Sequence, residues 1–208
     1  MLLLWDALGP RKGNEEARAF GLADRALEGI EPPMAQALEN SIAALREQRV
    51  SFRPVPIAAM HDKLTVEARI VTTYEGARAH NERYGKYGAL LQDVAKLVEE
   101  GRKIPDSRYR EALAHIAEAR LKIAEIFKQT PVLLLPAATG PAPRGLTTTG
   151  DSRMNRVWTA LGVPAISIPM AVGNELPLGL QLIAASGKDS LLLNTAVQVA
   201  RWIGSPAQ

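Results

Sequence analysis

The stretch "TGDSRMNRVWTALGVPAISIPM", residues 149–170, carries the signals of a helix followed by a strand. Asp151 or Ser152 precedes the first helical residues, and both residue types accept hydrogen bonds from the free N–H groups at a helix start. Gly162 is predicted to end this helix, because glycine adopts left-handed backbone angles at little cost. Pro164 then leads into the apolar run "AISIPM", which predicts a strand.

Two further strands and a helix are predicted around this unit. "PVLLLP", residues 131–136, is a short continuous apolar run between two prolines, which is typical of a buried strand. "LGLQLIAA", residues 178–185, alternates and is predicted to pair with "AISIPM" after the turn "GNELP". Because "VLLLP" and "AISIPM" are apolar on both faces, both are expected at the centre of a covered sheet. A helix over residues 188–204 closes the chain, with Leu192, Ala196, Val199 and Ile203 facing inward.

The first 129 residues are predicted to be mainly helical. The segment before residue 31, rich in Gly, Lys and Asn, is predicted as a loop. Two prolines in "VSFRPVPIAAM" predict a strand there that lies at an edge of the sheet or is short. Helices are predicted over residues 31–48 and 62–84, and a third is predicted to end at Glu100 because Gly101 follows it. A fourth, long helix is predicted to begin after Ser107 as its N-cap. Its apolar stripe comprises Leu113, Ile116, Ile123, Ile126 and Phe127.

These elements predict an α/β fold in which helices pack on a mixed β-sheet. We expect one partial domain over residues 1–208, with a mainly helical segment at 1–129 and a strand-helix-hairpin-helix core at 130–208.

Composition excludes several classes of function. The chain has 208 residues and no cysteine, which excludes disulfides, thiolate catalysis and sulfur-based zinc sites and is typical of the cytoplasm. Its apolar start is too short for a signal peptide, and no stretch approaches the ~20 apolar residues of a spanning helix, so no membrane association is expected. The formal charge of +3 is spread without basic runs, so no nucleic-acid partner is expected.

Residue chemistry by itself indicates no catalytic or metal site. Ser152 in "GDSR" resembles the nucleophile of a lipase block, but no histidine follows His115 and a helix-cap role is favoured. Ser167 alternates within an apolar strand and is interpreted as a small strand residue. The three histidines lack the spacing of a metal helix, and no phosphate-binding glycine motif occurs, so no metal and no cofactor is expected.

An ordered set of motifs resembles the closing part of the amidase signature family. The set comprises "LLLP", "APRGL", "TGD", "WTALGVPAISIP", "LPLGLQLI" and a final "D-x-LLL" helix, and it spans residues 133–200. "LLLWDALGP" and "RYGKYGALL" resemble earlier parts of the family's second half. Thr130 and Pro131 stand where the family usually has an aspartate before "LLLP", which removes one polar anchor.

The resemblance implies the C-terminal half of a serine amide hydrolase or amidotransferase. In that family a serine nucleophile, a bridging serine and a lysine base lie in a glycine- and serine-rich stretch of the first half. Nothing in this sequence resembles that stretch, and all eight serines are isolated from one another. We therefore expect no catalytic residue here and a chain that is inactive alone.

The resemblance also implies that residues near 149–170 help to wall the substrate pocket. Thr149, Asn155 and Trp158 are the predicted substrate-binding residues, although Trp158 as a core aromatic and Asn155 as a structural hydrogen-bond former are alternatives. The expected partners are a complementary N-terminal amidase half or a second copy, and a small-molecule amide once the site is complete. The alternatives are one subunit of a split amidase and a non-catalytic binding or assembly module that uses the helices between Asp62 and Phe127.

Overall fold

The computed structural model describes residue 13 and residues 15–23, 29–88, 92–145, 147–170 and 176–204. The start of the chain at residues 1–9 and most of the predicted turn "GNELP" lie outside the described residues. The chain divides into two compact units, one formed by Met1–Ala58 with Ile123–Gln208 and the other by Ala59–Lys122.

Five strands and seven helices are present among the described residues. The strands are β1 (Ala19–Ala23), β2 (Ser51–Val55), β3 (Val132–Pro136), β4 (Ala165–Met170) and β5 (Leu178–Ala184). The helices are α1 (Pro32–Glu47), α2 (Ala58–Ala79), α3 (Asn81–Tyr87), α4 (Gln92–Arg102), α5 (Asp106–Gln129), α6 (Arg153–Leu161) and α7 (Asp189–Trp202).

The five strands form one mixed sheet in the order β2-β1-β3-β5-β4. β1 pairs in parallel with both β2 and β3, whereas β5 pairs antiparallel with both β3 and β4. The predicted α/β class with a mixed sheet is therefore confirmed, as are the edge position of β2 and the pairing of β4 with β5. The prediction that β4 lies at the centre is wrong, because β4 is an outer strand and Ala165 and Ser167 are exposed.

Strand β1 was not expected, since residues before 31 were predicted as a loop. Gly21 allows β1 to fit between β2 and β3. A Cβ on Gly21 would lie only 2.6–2.7 Å from side-chain atoms of Leu133, Thr130 and Val55. The strand therefore depends on a residue without a side chain at its middle position.

Two helix boundaries differ from the prediction in the unit Ala59–Lys122. The segment predicted as one helix over 62–84 forms α2 and α3, with His80 between them. Gly101 lies inside α4 instead of ending it, and a Cβ there would collide with the Thr73 carbonyl oxygen. Gly101 therefore permits close approach of α2 to α4. In α5, Leu113 was expected in the apolar stripe but is 40% exposed.

The main core lies on one face of the sheet, beneath α1 and α7. Leu134, Leu180 and Leu182 project from the central strands into this core, and the inward residues predicted on the closing helix are all buried there. The opposite face of the sheet receives α6, whose Val157, Trp158 and Leu161 are buried. This second face carries the polar residues of the candidate site.

Candidate functional site

Asn155 joins three separate elements of the second sheet face. Its Nδ2 donates a hydrogen bond to the Ala137 carbonyl oxygen at 3.0 Å, just after β3. Its Oδ1 accepts a hydrogen bond from Nε2 of Gln181, on β5, at 2.6 Å. Because α6 is only nine residues long, these bonds fix where its first turn lies on the sheet.

Gln181 is a buried polar residue on an otherwise apolar strand. The side chain is 3% exposed, and its Oε1 has no hydrogen-bond partner within the part of the chain that the structure describes. In the sheet register, Gln181 lies between Leu135 of β3 and Ser167 of β4. A buried acceptor without a partner costs stability.

Ser167 and Gly179 complete the polar row at the outer strand. A Cβ at position 179 would collide with Ser167 Oγ and lie 2.9 Å from the Ala137 Cβ. Glycine at this position therefore lets the Ser167 hydroxyl lie across β5. The result is a small patch on one sheet face, formed by Ala137, Asn155, Ser167, Gly179 and Gln181.

The loop between β3 and α6 is anchored at both ends. Arg153 donates from Nη2 to the Gly29 carbonyl oxygen at 2.6 Å, and the Glu31 N–H donates to the Thr139 carbonyl oxygen at 2.7 Å. The Asp151 carboxylate accepts from the Arg153 N–H at 2.9 Å, so Asp151 provides the side-chain bond at the start of α6. These contacts hold the loop beside the polar patch.

The three predicted substrate-binding residues lie in different environments. Thr149 is exposed in the anchored loop, and Asn155 is exposed while making its two bonds. Trp158 is 1% exposed and fills the space beneath α6. Asn155 and Trp158 share one helix, and Thr149 lies four residues before that helix begins.

Sequence reasoning missed Gln181 and the Ala137 carbonyl group. Gln181 had a signal, since it is the only polar side chain within "LGLQLIA". The Ala137 carbonyl had none, because a backbone acceptor is set by tertiary position.

Among the described residues, neither Ser152 nor Ser167 contacts a group that could activate its hydroxyl. Ser152 Oγ accepts a hydrogen bond from Arg156 Nη2 at 2.6 Å, and a guanidinium cannot act as a base. Ser167 Oγ makes no hydrogen bond to any residue that the structure describes. Within that same part of the chain, no three His, Asp or Glu side chains are grouped to hold a metal ion, and no helix is long and apolar enough to cross a membrane.

Comparisons with known proteins point to one family. The sequence model of the family described as Amidase matches residues 10–193. The chain is 31% identical over 206 residues to the glutamyl-tRNA(Gln) amidotransferase A-subunit of Thermus thermophilus, an alignment that covers 86% of this chain and 44% of that protein.

Solved structures share the fold. A crystal structure of an amidase superposes with a TM-score of 0.80 and 25% identity, covering 92% of this chain and 47% of that chain. The glutamyl-tRNA(Gln) amidotransferase A-subunit from Thermotoga maritima superposes with a TM-score of 0.62 and 18% identity, covering 92% of this chain and 43% of that chain. The chain thus spans less than half of the length of each of these proteins.

Proposed function

The chain belongs to the amidase family, and from this premise we propose that it supplies the scaffold and part of the substrate pocket of a serine amide hydrolase. In this proposal the serine nucleophile, the bridging serine and the lysine base come from a polypeptide segment other than residues 1–208. The chain alone is then inactive.

The main support for the proposal is that the alignments cover most of this chain but less than half of each relative. The match to the Thermus thermophilus protein covers 86% of this chain but 44% of the relative, and the amidase crystal structure gives 92% and 47%. Nearly all of this chain therefore corresponds to about half of a family member. The sequence holds no glycine- and serine-rich stretch of the kind that carries the family's catalytic residues.

The environments of Ser152 and Ser167 support the proposal that neither serine is a nucleophile. Activation of a serine requires a base within hydrogen-bond reach. Ser152 bonds to a guanidinium, and Ser167 bonds to no described residue. Neither arrangement removes a proton from a hydroxyl.

The polar patch is the proposed pocket wall. Asn155 is positioned by Ala137 and Gln181, so its exposed edge is presented at a fixed place. Thr149 contributes from the anchored loop. Trp158 acts from beneath as the apolar support of α6, because its side chain is buried. A small-molecule amide is the proposed ligand of the completed pocket.

The outer strand β4 is the proposed place where a partner continues the sheet. Among the described residues it pairs only with β5, and its residues Ala165 and Ser167 are exposed. A complementary N-terminal half, or failing that a second copy, would pair along this edge. We place the assembled protein in the cytoplasm, which the lack of cysteine supports.

The test is amide hydrolysis by the purified chain. Ammonia release from benzamide should stay at the uncatalysed rate, and a fluorophosphonate probe should label no serine. Addition of the separately expressed N-terminal half of a family member should produce both hydrolysis and labelling, with the label on the added half.

Ser152→Ala and Ser167→Ala variants serve as controls. Ser152→Ala should leave the complemented activity unchanged. Ser167→Ala alters the proposed pocket wall and the β4 edge, so it is used only to test whether activity of the isolated chain depends on the Ser167 hydroxyl. Hydrolysis by the isolated chain that either substitution abolishes would overturn the proposal. If the two halves form a stable complex that does not hydrolyse the amide, the non-catalytic assembly role is favoured instead.

A further inference from the structure

A groove in the unit Ala59–Lys122 lies between the start of α2 and the middle of α5. Its volume is about 250 Å³, and it is lined by apolar and charged side chains at once. Met60, Leu64 and Ala119 supply the apolar surface, while Lys63 and Lys122 supply two ammonium groups. The groove is large enough for a small aromatic or short aliphatic molecule, not for a peptide.

One imidazole of the groove has a fixed orientation. Nδ1 of His115 lies 3.0 Å from Oε1 of Glu67, whose side chain is 5% exposed. Oε2 of the same carboxylate lies 2.7 Å from Nη2 of Arg108, so the guanidinium is the charge partner of Glu67 on the side away from His115. When Nδ1–H of His115 donates to this carboxylate, Nε2 is the ring nitrogen that has no partner among the described residues, and it can accept a hydrogen bond from a ligand.

The charges of the groove favour a ligand with a single negative charge. Lys63, Lys122 and Glu118 line it, and within the part of the chain that the structure describes none of the three is in an ion pair. Their sum is one positive charge. A monocarboxylate balances that sum, whereas a phosphate dianion would leave an excess of negative charge beside Glu118.

His115 and Lys122 lie far enough apart to bind two different groups of one ligand. His115 and Lys122 are seven residues apart on α5, which is about 10 Å along a helix axis. A carboxylate near Lys122 and a hydrogen-bond donor near His115 can therefore belong to one small molecule, and Met60 and Leu64 supply apolar surface for its middle.

We propose that this groove binds a small monocarboxylate that carries a hydroxyl or N–H donor at its opposite end. The carboxylate binds to Lys63 and Lys122, and the donor binds to Nε2 of His115. This site involves none of the residues of the polar patch, so it stands whether or not the amide hydrolase proposal holds.

The test is an NMR titration of the histidine ring resonances of the full chain. The probe 4-hydroxybenzoate should shift the His115 resonance in a saturable way, with a Kd on the order of 1 mM. Benzoate lacks the donor and should bind about threefold more weakly. The neutral 4-hydroxybenzamide should also bind at least about threefold more weakly, because the ion pairs are lost. His80 serves as the internal reference.

Matched variants separate the groove from general charge effects. Lys122→Met should weaken 4-hydroxybenzoate binding about threefold or more, and Lys103→Met, an exposed lysine outside the groove, should leave it unchanged. The proposal is overturned by any of three results: no saturable shift at His115, equal binding of the neutral amide, or equal effects of the two lysine substitutions.

Discussion

Gln181→Leu should make the protein more stable, although it removes a hydrogen bond. The lost bond from Gln181 Nε2 to Asn155 contributes about 1 kcal/mol. The same substitution removes Oε1, a buried acceptor without a partner among the described residues, whose burial costs about 1–3 kcal/mol. Leucine has a similar volume and lies beside Leu135 in the register, so no large cavity is left. The free energy of unfolding should therefore rise by about 1 kcal/mol.

Urea denaturation followed by circular dichroism measures this change as an increase in midpoint at constant slope. The matched control is Gln36→Leu on α1, where an exposed glutamine donates to Asn40 at 3.0 Å. That substitution should change stability by less than about 0.5 kcal/mol, because nothing buried is involved. A loss of about 1 kcal/mol or more in Gln181→Leu would refute the reasoning, since it would mean that Oε1 is satisfied in solution.

Three further predictions concern the fold. Gly21→Ala should destabilise the protein by about 1–3 kcal/mol through overcrowding in β1, whereas Gly85→Ala on α3, with open space around it, should be neutral or stabilising in the same urea experiment. Thr195→Val should lower the free energy of unfolding by about 1–3 kcal/mol, because the Thr195 hydroxyl accepts a hydrogen bond from the buried Ala17 N–H at 2.9 Å. Hydrogen exchange of the Ala17 amide should then become faster. The hydrogen bond to Asp106 raises the pKa of Tyr74, so the phenol stabilises the folded state below the ordinary tyrosine pKa, and this contribution is lost as pH rises through the folded value. Hydrogen bonds to carboxylates raise the pKa values of Tyr84 and Tyr109 as well, so Tyr74→Phe should reduce the phenolate absorbance change above pH 10 by the amplitude of one tyrosine.

The strands and helices after residue 130 were predictable because their signals are local. Gly162 ends α6 with a left-handed backbone, φ 69°, as its position after the apolar spacing indicated. The continuous apolar run of β3 correctly predicted a fully buried strand. The same argument failed for β4, since apolar composition does not distinguish a central strand from an outer one whose exposed face carries small residues.

The remaining features depend on contacts between residues far apart in sequence. β1 is a strand because β2 and β3 pair with it on both sides, and a five-residue segment with Gly21 in the middle has weak strand propensity of its own. His115 and Glu67 are 48 positions apart, so no spacing rule could pair them. Asn155 could be singled out from the sequence, but its partners Ala137 and Gln181 could be identified only from the fold.

Each outer strand of the sheet contains a proline, Pro54 in β2 and Pro169 in β4. Proline has no N–H to donate, so the ladder of donors along either border is interrupted. An identical chain adding at random would meet this gap, which disfavours open-ended fibril growth. A partner strand that places no carbonyl acceptor opposite the proline loses no hydrogen bond. The two prolines therefore restrict which strands can pair with the edges of the sheet.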